Sequence, residues 1–180
     1  MKVLGITGLP GSGKSEFASI AEEMGFTVVR MGDMVWNYVR SEGLPLSARV
    51  VGEIAKKRRE REGADIWARE TVKFISSLPE RKEVIVIDGL RSLEEVEYFR
   101  GHFPEFRIVG VHSSPSTRYR RIMARKRVDD VLDFTEFQAR EQREIAWGIA
   151  VVFAYSDIML VNEGGLEDFR MRARLVLRED

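Results

Sequence analysis

Short apolar runs alternate along this chain with longer stretches in which apolar residues recur every third or fourth position. Residues 2–7 (KVLGIT) form the first run, which stops at a glycine-rich segment. Phe17, Ile20, Ala21 and Met24 then fall at helical spacing. A second strand is predicted at 27–30 (TVVR), after Gly25. From 33 to about 78 the pattern is helical, with breaks at Gly43-Leu44-Pro45 and around Gly63, so two or three helices are expected there. Residues 83–88 (EVIVID) make an unbroken apolar run of the kind buried on both faces of a parallel sheet, and Ser92 stands at capping-box spacing from Glu95. A fourth strand is predicted at 106–112, and Ser114-Pro115 opens a helix running to about 127, since proline is tolerated at the first helical position. One helix is expected over 135–155, a fifth strand at 158–161 and a surface helix over 166–177. Strands separated by helices throughout imply right-handed crossovers. The expected fold is α/β, a three-layer α/β/α sandwich around a parallel sheet of about five strands.

Composition narrows the class. A length of 180 residues fits one domain, and 44% hydrophobic residues suffice for a packed core. Lys and Arg total 29 against 29 Asp and Glu, so the formal net charge of zero counts against nucleic-acid binding by bulk positive charge, although local basic patches leave that route open. There is no cysteine and there are only two histidines, His102 and His112, which removes thiol chemistry and zinc sites and leaves both histidines structural. No apolar stretch approaches the ~18 residues of a membrane span, and the N-terminus lacks a signal-peptide layout, so a cytoplasmic protein with no membrane partner is expected. Oligomeric state is not legible.

Gly8-Leu9-Pro10-Gly11-Ser12-Gly13-Lys14-Ser15 matches G-x-x-x-x-G-K-[ST] in full and stands between the first strand and the first helix, as that P-loop motif requires. Its backbone amides and the helix N-terminus would cradle phosphates, Lys14 would reach the β and γ oxygens of ATP, and the Ser15 hydroxyl would ligate Mg²⁺. All eight residues are therefore candidate nucleotide-binding residues. Asp33 follows the second strand, so it should lie on the carboxyl edge of the sheet, where open α/β sheets bind ligands; capping the next helix is its other reading. Arg118 to Arg127 (RYRRIMARKR) holds six cations in ten residues, most of them expected on a solvated face. Arg125 and Arg127 are the candidate lid residues, because they end a helix beside the loop 128–132. Trp36, Trp67 and Trp147 read as core, with Trp67 able to line an acceptor pocket instead.

Met31-Gly32-Asp33-Met34 resembles the Gly-Asp-Met turn of adenylate kinases, and Asp88-Gly89-Leu90-Arg91 is similar to their Asp-Gly-aromatic-Pro-Arg stretch, shortened here by the missing proline. That resemblance implies that Asp88 holds Mg²⁺ through water and that Arg91 holds the acceptor phosphate. The arginine-rich helix and the closing segment from Asp157 through Asn162-Glu163-Gly164 look like dephospho-CoA kinases. Taken whole, the chain most resembles an archaeal family of adenylate-kinase-related P-loop proteins, close to nucleoside monophosphate kinases and dephospho-CoA kinases.

The resulting expectation is a single P-loop kinase-like domain with a helical acceptor-binding insertion at about 33–78 and a short lid at about 125–134. ATP·Mg²⁺ would lie on the P-loop, with Lys14, Asp33, Arg125 and Arg127 catalytic, Asp33 and Arg91 binding the acceptor, and Ser15 and Asp88 at the metal. A nucleoside monophosphate is the first acceptor class and a dephospho-CoA-type hydroxyl the second, for which Asp33 would be the base. An ATP-binding switch or slow ATPase serving an RNA or protein partner through 56–61 and 118–127 is the reading from another class.

Overall fold

The computed structural model describes residues 1–79, 83–125 and 133–179. Each apolar run forms a strand: β1 (Lys2–Thr7), β2 (Thr27–Arg30), β3 (Val84–Asp88), β4 (Glu105–His112) and β5 (Ile158–Val161). They lie in one five-stranded sheet of order β2-β3-β1-β4-β5, every pair parallel. Alternate side chains enter two separate cores. Val3, Ile85, Ile87, Phe106 and Ile108 pack with Trp67, Val96 and Phe99 on one face, while Leu4, Ile6, Val86, Val109 and Val111 pack with Phe17, Ile20 and Phe169 on the other. Burial on both faces is why β1 and β3 read as continuous apolar runs without a polar alternation, whereas β5, at the sheet edge, leaves Met159 and Val161 exposed.

The helices are α1 (Lys14–Glu23), α2 (Met31–Ser41), α3 (Ala48–Glu62), α4 (Ile66–Ser76), α5 (Leu93–His102), α6 (Pro115–Arg125), α7 (Phe134–Ala146), α8 (Ile149–Ala154) and α9 (Leu166–Glu179). Between β2 and β3 the expected breaks at Gly43 to Pro45 and at Gly63 are present, giving three helices. The Ser92 hydroxyl accepts from the Glu95 amide at 3.3 Å and the Glu95 carboxylate accepts from the Ser92 amide at 3.3 Å, which completes the capping box.

The helix expected over 135–155 is instead two. Gly148, at φ 102°, breaks it after Trp147, and a β-carbon at this glycine would lie 3.4 Å from the Arg91 carbonyl oxygen. The break therefore serves a tertiary contact with the chain leaving β3, which apolar spacing does not report. No helix among the described residues is long and apolar enough to cross a membrane. Because all strands are parallel, Thr7, Asp88 and His112 end on one edge of the sheet, with Ile6 in register with Asp88 and Thr7 with Gly110. That edge, where the strand order reverses around β1, is the expected ligand edge of an open α/β sheet.

Candidate active site

The glycine-rich segment turns from β1 into α1 and is held from outside by its carbonyls. The Asn162 side-chain amide donates to the Ser12 carbonyl at 2.8 Å, the Ser113 hydroxyl to the same oxygen at 3.2 Å, and Arg118 to the Pro10 carbonyl at 3.4 Å. The first amides of α1 have no intrahelical acceptor, so the loop offers its N–H groups and the helix dipole to whatever occupies the cleft. Gly13 has φ 117°, and a β-carbon there would stand 2.4 Å from the Asn162 amide nitrogen. Only glycine satisfies both the backbone and its neighbour.

Lys14 opens α1 and bends back over the loop, donating to the Gly8 carbonyl at 2.5 Å and the Leu9 carbonyl at 3.3 Å. Burial brings its pKa down from 10.5 to about 8; the carboxylates of Asp88 and Glu144 oppose that fall, and Arg91 and Arg140 add to it. Asp88 ends β3. Burial pushes its pKa up, against the pull of Lys14, Arg30 and Arg91, and the nearby Asp33 raises it further. Its Oδ1 is buried with no hydrogen-bond partner among the described residues. An orphaned carboxylate oxygen and the hydroxyl of Ser15 in the first turn of α1 are hard oxygen donors, which fit a magnesium ion that takes its other ligands from water and phosphate.

The cleft in front of the loop has a volume of about 380 Å³. Gly8, Pro10, Gly11, Gly13, Lys14 and Ser15 form one wall, while Arg91, Arg121, Arg125 and Arg140 converge from β3's exit, α6 and α7. Arg91 pairs with the buried Glu144 at 3.1 Å and lies 5.4 Å from the centre of the Trp147 ring. Asp33 is exposed in the first turn of α2; the helix starts at Met31 and is entered from Arg30 without a side-chain cap, so Asp33 is not the helix cap. Arg127 and the loop 128–132, part of the lid expected at 125–134, lie outside the described residues. Asp133 caps α7 by accepting from the Glu136 amide at 2.9 Å.

Other expectations are revised. Arg118 and Arg121 do not belong to a solvated face: Arg118 is buried, donates to the Ser113 carbonyl at 2.9 Å and pairs with Glu141, and Arg121 reaches the Ser113 hydroxyl at 2.8 Å and Asn162 at 3.2 Å. Trp67 is fully buried with its indole N–H on the Ala55 carbonyl at 3.3 Å, which makes it core and no pocket wall. His102 accompanies the Tyr98 carbonyl at 2.8 Å at the end of α5, a structural place. Sequence reasoning missed Ser113, Glu144 and the inward turn of Arg121. For Glu144, the i, i+4 spacing from Arg140 was the available signal; Ser113 had none.

A parallel sheet of this order, with a P-loop after β1 and a carboxylate at the end of β3, defines a P-loop kinase-like α/β protein. The fold is shared with TT1252 from Thermus thermophilus (TM-score 0.69, 22% identity, 99% of this chain and 97% of that one). It is shared also with a dephospho-CoA kinase from Campylobacter jejuni (TM-score 0.63, 18% identity, 99% and 97%). A family model described as an AAA domain matches residues 4–144. A UPF0200 protein of Methanoculleus marisnigri is 42% identical over 177 residues, 98% of this chain and 96% of its own length. The chain belongs to the UPF0200 family.

Proposed function

We propose that this UPF0200 protein is an ATP·Mg²⁺-dependent phosphotransferase acting on a nucleotide-like small molecule, nucleoside monophosphates being the first acceptors to test. The observation that supports it is the single cleft in which the P-loop and Lys14 face Arg91, Arg121, Arg125 and Arg140. Nucleotide binding alone needs the loop and a cation; a second bank of guanidiniums is what a transferring phosphoryl group and an anionic acceptor need. In this reading Ser15 and Asp88 hold Mg²⁺, which neutralises the phosphates. Lys14 and Arg125, with Arg127 beyond it in sequence, stabilise charge on the phosphoryl group. Arg91 exchanges Glu144 for the acceptor phosphate, a trade between two anions in the same pocket. Residues 31–76 would supply the acceptor side, and closure of the 125–134 segment would exclude water.

A second reading, transfer to a hydroxyl, draws support from Asp33: its carboxylate is exposed on the ligand edge and close enough to act on Asp88. A phosphate acceptor needs no base, whereas a hydroxyl does. The RNA- or protein-partner reading has less support, because Arg58, Arg118 and Arg121 are engaged internally by Glu62, Glu141 and Asn162.

A coupled ADP-release screen against nucleoside monophosphates, dephospho-CoA and nucleosides, beside a no-acceptor control, tests the proposal. The expected result is acceptor-dependent ADP release that Lys14→Ala lowers by at least 100-fold while the variant stays folded by circular dichroism. ADP release independent of every acceptor, or full turnover in folded Lys14→Ala, overturns it.

A further inference from the structure

Beside the cleft lies a second cavity that the proposed chemistry leaves unused. It has a volume of about 390 Å³, sits between α3 and the end of α7, and is lined by Lys56, Arg59, Glu60, Arg143, Ala146 and Trp147. Three cations there face one carboxylate, and that carboxylate is weakly engaged: Glu60 stands 3.7 Å from Lys56 in an exposed pair. Arg59 gives one nitrogen to the buried Glu95 at 3.1 Å, while its Nε and Nη1 are buried with no acceptor among the described residues. Arg143 has no ion-pair partner among the described residues.

Trp147 stands between a cation of each cavity. Its ring centre lies 5.7 Å from the Arg59 guanidinium carbon and 5.4 Å from that of Arg91, which lines the inner cleft. Positions 140, 143, 144 and 147 recur at helical spacing on one side of α7 and its C-terminal end. Arg140 and Glu144 line the inner cleft, and Arg143 and Trp147 the outer cavity. Arg140 and Arg143 are separated by about 4.5 Å along the helix axis at 1.5 Å per residue. The cations that line the two cavities from this helix thus stem from a single turn of it.

We infer that the Lys56, Arg59, Arg143 and Trp147 cavity is a second anion subsite for the acceptor, which accordingly is a nucleoside monophosphate bearing a further phosphate, remote from the group that is phosphorylated. A phosphate suits it because a dianion with three outer oxygens matches cations arriving from two helices. The word acceptor rests on the phosphotransferase reading; the subsite itself does not. The test is a titration without turnover, in protein saturated with Mg·ADP, using AMP and adenosine 3′,5′-bisphosphate as probes. Lys56→Gln/Arg143→Gln is the variant, chosen because both side chains are exposed and Arg59, paired with a buried carboxylate, is left intact. Wild-type protein is expected to bind the bisphosphate at least tenfold tighter than AMP, and the variant to bind both alike with ADP affinity unchanged. A bisphosphate no tighter than AMP, a preference that survives in the variant, or no binding of either probe overturns the subsite. A failed ADP-release screen beside an intact bisphosphate preference would overturn phosphoryl transfer alone.

Discussion

Asp33 and Lys14 face the same edge of the sheet under opposite constraints. Lys14 is half-buried, folded onto two carbonyls of its own loop, and holds its proton only to about pH 8. An anion in the cleft would restore its ordinary affinity for a proton, since it supplies the charge that burial removes. Asp33 is exposed, so its replacement costs no packing; placed in the first turn and not at the cap, it contributes to α2 mainly through the helix dipole. Asp33→Asn is therefore expected to leave the melting temperature nearly unchanged, a loss of no more than about 1 kcal/mol. With a monophosphate acceptor, acceptor KM should rise while kcat stays within tenfold. A kcat loss of ~10² to 10⁴ at constant KM would instead make Asp33 a general base and the acceptor a hydroxyl. Steady-state kinetics beside thermal melts separate these outcomes.

At the scale of elements, the P-loop is a turn pinned by strangers. Asn162 follows β5, 150 residues from the Ser12 carbonyl it binds. Gly13→Ala adds a β-carbon at a positive φ and against the Asn162 amide, so it should destabilise the fold by about 1 to 3 kcal/mol and weaken nucleotide binding. In an Asn162→Ala background the same change should cost less, because the collision is gone and only the backbone strain stays; urea unfolding of the four proteins in the cycle measures that coupling. The end of α3 provides the pH test. Arg58 at 2.6 Å and Arg61 at 2.5 Å bring the pKa of Glu62 down from 4.5 to about 2. Below 4.5 the unfolded chain binds a proton here that the folded chain does not, so the stabilisation is complete above pH 4.5 and is lost as the pH falls through 2. The stability difference between wild type and Glu62→Gln, followed by denaturant unfolding, should be constant from neutrality to about pH 4.5 and shrink towards pH 2.

The whole molecule meets at the cleft, whose walls come from α1, the exit of β3, α6, α7 and α8. A ligand bound there stabilises all of them together. Mg·ADP at 100 times its Kd should add about 2.7 kcal/mol to unfolding, roughly 5 to 10 °C in Tm for a chain of this size, and Lys14→Ala should lose most of that gain in calorimetry. What the sequence determined by itself was local. Five apolar runs marked the strands, most plainly β1 and β3, which are covered on both faces; Ser92 and Glu95 formed their box within one turn, and the P-loop packs its chemistry into eight consecutive residues. Asp88 was legible as the carboxylate ending a strand next in kind to the loop. Periodicity says which side of an element is covered; it is silent on what covers it. Only the tertiary structure decided the β2-β3-β1-β4-β5 order and the break at Gly148 against the chain after β3. It alone brought Arg118 to the Pro10 carbonyl, turned Arg121 towards Asn162 and set Glu144 opposite Arg91, because each of these depends on groups dozens of residues away that meet only once the sheet has assembled.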